Sequence, residues 1–128
     1  MTQNVPVPYD AEFQSPIPSI WRDCIIQIVE AFKDKDFERL NALPSVQCID
    51  LAYAAEIAKN IDDYGAHLMS LAEESWHTSV CLYMENESWQ AIVDLFTVEE
   101  GRSDLIIDLF IFKKEDQFIF QINNIYVP

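Results

Sequence analysis

The spacing of apolar residues changes character once along this chain, near Trp76. Upstream, Ile20, Trp21, Cys24, Ile25, Ile28, Val29 and Phe32 recur at intervals of three and four, with Arg22, Asp23, Gln27 and Glu30 between them. That is the stripe of an amphipathic helix, with Ser19 as its expected N-cap. Lys33-Asp34-Lys35-Asp36 interrupts the stripe, and Phe37, Leu40 and Leu43 then predict a short second helix closed by Pro44. Asp50 is the expected cap of a third helix that turns Leu51, Ala54, Ala55, Ala58 and Ile61 inward and stops at Gly65. A short extended piece is expected from His67 to Leu71, followed by a polar link through Glu73, Glu74 and Ser75.

Downstream of Trp76 the period is two. Strands are predicted over Thr78 to Met84, Trp89 to Thr97, Asp104 to Phe112 and Gln117 to Val127. The turns between them fall at Glu85-Asn86-Glu87, at Glu99-Glu100-Gly101-Arg102 and from Lys113 to Asp116. Val93 and Leu95 on one run, and Leu105, Ile107, Leu109 and Ile111 on the next, mark a central antiparallel hairpin with one face in a core. The expected fold class is α+β, with N-terminal helices packed on one face of a C-terminal four-stranded antiparallel meander, flat or curved into a cone. Residues 1–18, with prolines at 6, 8, 16 and 18, form an extended N-terminal arm, and residues 19–128 a single domain.

The second face of this sheet is not wholly polar. It carries Asp104, Ile106, Asp108, Phe110 and Phe112 on the third strand, while the fourth divides into Phe118, Phe120 and Ile122 against Ile119 and Ile125. Partial cover is expected from the proline-rich arm, from curvature around a cavity, or from another chain.

Half of the 128 residues are apolar, enough to close one core. Charge adds more, because 22 acidic residues against 8 basic ones leave a net charge of -14. Such a field attracts cationic partners and opposes phosphate backbones and anionic membranes. No direct contact with nucleic acid or membrane is therefore expected. Cys24, Cys48 and Cys81 are odd in number and widely spaced, which suits a reducing cytoplasm better than a disulfide framework.

Signals for catalysis are weak. His67 and His77 have acidic neighbours, Asp62 and Asp63 for one and Glu73 and Glu74 for the other, but no ligand spacing for a metal. Asp94 and Asp108 lie in apolar strands, where a carboxylate can serve as general acid or base, although a solvated strand face is the commoner setting. Ser79, Ser88 and Ser103 sit in no nucleophile elbow, and Cys81 in its strand reads as a buried thiol. Gly65 and Gly101 are the only glycines, too few for a phosphate-cradling loop. No catalytic residue, cofactor or metal is expected.

The segments Ser79-Val80-Cys81, Val93-Asp94-Leu95 with Thr97, Glu99 to Leu105 and Tyr126 to Pro128 resemble the motifs of a family of small uncharacterised bacterial proteins. That resemblance implies no reaction. Size, acidity and α+β layout are similar, at the level of class, to immunity proteins of contact-dependent growth inhibition, partners of toxins that are often nucleases. The run Ala31 to Leu40 is similar to a helix junction of the nuclear-transport-factor-2-like superfamily, which implies a cone-shaped binding module or enzyme.

The leading expectation is a cytoplasmic immunity protein that blocks the active site of a basic toxin domain. Its expected contacts are Asp62, Asp63, Glu73, Glu74, Trp76, Glu85, Glu87, Trp89, Glu99, Glu100 and Asp104, with the carboxylates pairing Arg or Lys and the aromatic residues, Phe110 among them, supplying a desolvated anchor. The alternatives are a cone-fold ligand binder or enzyme with Asp94 or Asp108 in a pocket, and a stand-alone domain whose acidity serves solubility.

Overall fold

A computed structural model describes residues 4–128. Its element order is β1 (Ser15–Pro16), α1 (Ser19–Lys33), α2 (Phe37–Ala42), α3 (Leu51–Tyr64), α4 (Ser75–Thr78), β2 (Val80–Tyr83), β3 (Ser88–Thr97), β4 (Gly101–Lys114) and β5 (Gln117–Tyr126). The five strands pair antiparallel in sequence order, so the α+β class and the meander hold with one strand more than expected. The extra strand comes from the arm, where Ser15 and Pro16 pair with Cys81 and Val80. The first three residues of the arm lie outside the described residues.

Local chemistry sets most of the boundaries. Asp50 caps α3 by accepting hydrogen bonds from the backbone N–H groups of Ala52 (2.7 Å) and Tyr53 (3.4 Å), and Gly65 ends the helix at φ 89°. Asp36 caps α2 through the N–H of Arg39. Ser19 is not the cap of α1. Pro18 occupies that position, extended, and Ser19 begins the helix, exchanging hydrogen bonds with Val5 through its N–H (3.0 Å) and Oγ (2.7 Å). The expected polar link at Ser75 is instead the single helical turn α4, which shortens β2 at its start.

The core lies between the helices and one face of the sheet. Trp21, Ile25 and Ile28 of α1 and Ala54 and Ile57 of α3 pack with Trp89, Ala91, Val93, Leu95, Ile107, Leu109 and Ile111, all fully buried. Trp21 fills the space beneath the helices, edge-on to Trp89, Phe118 and Phe120 at centroid distances of 5.5, 5.5 and 6.2 Å.

Two irregularities adjust the strands. Between Asp108 and Leu109 the β4–β5 register slips by one residue, leaving Asn123 as a bulge. This reverses the alternation of β5, so Ile125 joins Phe120 and Ile122 in the core and not Ile119 on the other face, as simple alternation predicted. The carbonyl of Asn123 accepts a hydrogen bond from Tyr53, which ties α3 to the bulge. Between Asp94 and Phe96 the β3–β4 register also shifts, and Ser103 Oγ bridges the gap by donating to the Leu95 carbonyl (2.8 Å) and accepting from Leu105 N–H (3.1 Å).

Both sheet edges are engaged in part. Beyond the short β2, the outer edge of β3 is satisfied by Ser79 Oγ on Asp94 N–H, Ser75 Oγ on the Asp94 carbonyl, Met69 N–H on the Phe96 carbonyl, and Val98 N–H on the His67 carbonyl. The extended piece expected near His67 is thus an add-on to β3 through Leu68 and Thr97. At the far edge Ser45 to Gln47 run parallel to β5 at Phe120.

The contacts of Pro8 and Tyr9 lie on the core side of the sheet and not on its second face. Tyr9 packs on Tyr83 and Trp89, on the core side, and Trp89 Nε1 donates to the Pro8 carbonyl at 2.7 Å. The second face keeps Leu82, Ile92, Phe110, Phe112 and Ile119 half-buried on the side away from the helices. Placement in two layers makes the sides energetically unequal. Trp89→Ala should destabilise the fold by about 3–5 kcal/mol, and Phe110→Ala by about 1 kcal/mol, in urea unfolding monitored by circular dichroism. Equal losses would contradict this layering.

Candidate functional site

Five of the carboxylates singled out from the sequence lie toward one end of the molecule. Asp62 and Asp63 stand in the last turn of α3, Glu99 and Glu100 in the turn from β3 to β4, and Asp104 in the irregular start of β4. Tyr64 joins the elements: its hydroxyl donates to Glu100 Oε1 at 2.9 Å. That contact, with a smaller opposing effect from the Asp104 backbone, raises the Tyr64 pKa. Glu99 grips the segment after Gly65 with both oxygens, accepting from His67 N–H at 2.8 Å and lying 2.6 Å from His67 Nδ1.

Cations answer only part of this charge. Asp62 pairs with Lys35 (2.8 Å) and Asp63 with Lys59 (2.7 Å), both across solvent-exposed side chains. Arg102 turns toward Asp94 on the second sheet face, at 3.9 Å. Among the described residues no Lys or Arg ion pair involves Glu99, Glu100 or Asp104.

Beside the carboxylates an open cleft of about 360 Å³ separates the end of α3 from the sheet. Leu105 and Ile125 are its buried apolar residues, Tyr64, Tyr126 and Val127 its exposed ones, and Asn60 and Asp63 its polar ones. Of the cleft residues, sequence reasoning nominated Asp63 alone as a partner contact. The available signal was the closing Tyr-Val-Pro, noted as a motif without a role, and Tyr64 just before the helix stop.

The other nominated residues lie elsewhere. Glu73 and Glu74 are exposed ahead of α4, and Glu85 and Glu87 occupy the hairpin at the opposite end of β3, roughly 30 Å from Glu99 by strand length. Trp76 and Trp89 are 5% and 0% exposed, so neither is open to a partner as an anchor. Trp76 instead carries the Arg22 guanidinium on its ring, 5.2 Å from the centroid. Phe110 is half-buried on the second sheet face, its ring 5.9 Å from that of Phe112.

The residues considered for chemistry have structural partners. Asp94 and Asp108 point to the second sheet face and not into a chamber under the helices, since register places them opposite Ile106 and Ile92. Asp94 accepts from Thr78, and Asp108 accepts from the side-chain amides of Gln90 (3.1 Å) and Asn123 (3.4 Å). The hydroxyls of Ser79, Ser88 and Ser103 are all committed to backbone hydrogen bonds. Burial pushes the Cys81 thiol up to about 12 and the Cys24 thiol up to about 11, which suppresses the reactive thiolate. No group of three His, Cys, Asp or Glu among the described residues is placed to hold a metal, and no described helix is long and apolar enough to cross a membrane.

Two measurements check this local picture. The His67 side chain, and then its backbone N–H, hold the Glu99 carboxyl below the ordinary glutamate range. Because the folded value is depressed, the stabilising contribution is complete above the unfolded value and is lost as pH falls through the folded one. The Glu99 titration followed by NMR should accordingly have a depressed midpoint, and His67→Ala should raise it. Among the three cysteines the exposed Cys48 should react fastest with a thiol reagent in the native protein, the partly exposed Cys24 more slowly, and the buried Cys81 only on unfolding.

No curated protein and no solved structure matches the chain. A family model does match, over residues 29–128, and the matched stretch holds all of α2, α3, the α4 turn and strands β2 to β5, including both sides of the acidic end and its cleft. The chain therefore belongs to the family described as Domain of unknown function (DUF7668).

Proposed function

We propose that this protein is an interaction module and not an enzyme: an immunity protein that binds a basic toxin domain of the nuclease class in the cytoplasm and covers its active site. The observation that carries this reading is the placement of Asp62, Asp63, Glu99, Glu100 and Asp104 toward one end, three of them without a lysine or arginine partner among the described residues, beside an open cleft with exposed apolar surface. A nuclease active site is built to attract phosphate, and carboxylates held in place imitate that charge.

The physical division of labour follows from solvent exposure. Exposed carboxylates steer the encounter at long range and contribute little to the final contact, whereas apolar surface beside them excludes water and slows release. Exposed Val98 in the acidic turn and Tyr64, Tyr126 and Val127 in the cleft provide that surface.

The test is co-expression with the product of the adjacent reading frame, followed by co-purification and kinetic measurement. A basic partner should bind with an association rate that falls about tenfold or more when Glu99→Gln, Glu100→Gln and Asp104→Asn are combined, with dissociation changing less. A partner that binds this variant at the wild-type rate, or no cationic partner at all, would remove the acidic end from the function.

A further inference from the structure

Resting on the function just proposed, we infer that the cleft between the end of α3 and the sheet is a receptor for one arginine side chain of the basic partner. The carboxylates alone would attract any cation. It is the cleft that selects: the exposed side chains of Tyr64, Tyr126 and Val127 supply accessible aromatic and apolar surface over a floor of buried Leu105 and Ile125, and Asp63 supplies charge from the helix side. The hydrogen bond between Tyr64 and Glu100 brings a second carboxylate next to the same residues, with Asp104 near the Tyr64 hydroxyl.

These features suit guanidinium better than ammonium. Guanidinium is planar and weakly hydrated, so it stacks on aromatic rings and gives up water readily, and its fork of donors meets a carboxylate in a fixed geometry. A lysine ammonium would keep its hydration at the rim. The apolar stem of arginine suits the exposed Val127 beside the two tyrosines. Lys59 does not block the site: its pair with Asp63 lies between side chains that are 74% and 63% exposed, where solvent makes such a contact weak and exchangeable.

The probe is N-acetyl-arginine methylamide, titrated into the full chain and followed by amide NMR shifts, with the lysine and the neutral citrulline analogues as comparisons. Saturable shifts should concentrate at Tyr64, Leu105, Ile125 and Tyr126, with arginine binding at least about tenfold more tightly than citrulline and more tightly than lysine. Tyr126→Ala and Asp63→Asn, both at exposed positions, should each weaken arginine binding by about threefold or more while the rest of the spectrum reports an intact fold. Equal binding of citrulline, lysine binding as tight as arginine, unchanged binding in the two variants, or shifts spread over the acidic surface and abolished by about 0.3 M salt would each overturn the inference. Failure of the arginine probe alongside a co-purifying basic partner removes only the cleft. Binding of arginine in the cleft without any basic partner removes only the immunity function.

Discussion

The meeting of two indoles holds the layers of this protein together. Trp21 comes from the first helix and Trp89 from the third strand, both fully buried with rings at 71° and centroids 5.5 Å apart. Phe118 closes the other side of both rings, at 5.5 Å from Trp21 and 5.6 Å from Trp89. Large aromatic surfaces of this kind dominate the burial that drives folding, and their edge-to-face geometry sets the height of the helix above the sheet. Trp89 also explains the order of the arm: a buried indole N–H needs an acceptor, and the Pro8 carbonyl provides it. Among the described residues Trp21 Nε1 finds no such acceptor, and aromatic rings pack around its indole.

This packing decides where function can reside. Because aromatic rings fill the space beneath the helices, the tryptophans serve cohesion and leave partner contact to the periphery. At one end of the sheet the chain passes repeatedly between layers, from the stop at Gly65 to the β3–β4 turn and on to the end of β5. Such crossings bring residues distant in sequence side by side. Glu99 and Tyr64 act as fasteners there, one holding His67 and the other holding Glu100. The same end carries surplus negative charge, and the mutual repulsion it creates is tolerated because the carboxylates face solvent. A basic partner would relieve that repulsion on binding.

Much of the fold was legible from side-chain spacing. The three main helices, the Asp50 cap, the Gly65 stop and the central hairpin all follow from local pattern, since each depends on residues a few positions apart. The boundary at Ser19 was misplaced because a serine beside Pro18 satisfies two local rules, and the arm's contact with Val5 favoured the other. The α4 turn was missed because its anchor is non-local: Ser75 and Ser79 bond to Asp94 across the chain. Ile125 was assigned to the wrong face because alternation has no means of showing a bulge in advance. Of the candidate site, the carboxylates were nominated individually from turn and helix-end positions. Their separation into one group toward one end and two distant ones was not.

By itself, then, the sequence determined the class of fold, the order of helices and strands, the acidic character of the molecule and the absence of familiar catalytic motifs, because composition and short-range periodicity carry that information. The tertiary structure alone decided which carboxylates share a surface, that Trp76 and Trp89 are structural, that Asp94 and Asp108 face away from the helices, and that a cleft opens beside Tyr64 and Tyr126. The reason is geometric. Strand register and helix docking join residues far apart in the chain, Tyr64 and Glu100 at a separation of 36 positions and Asp63 and Tyr126 at a still greater one, and no local pattern encodes the distance between them.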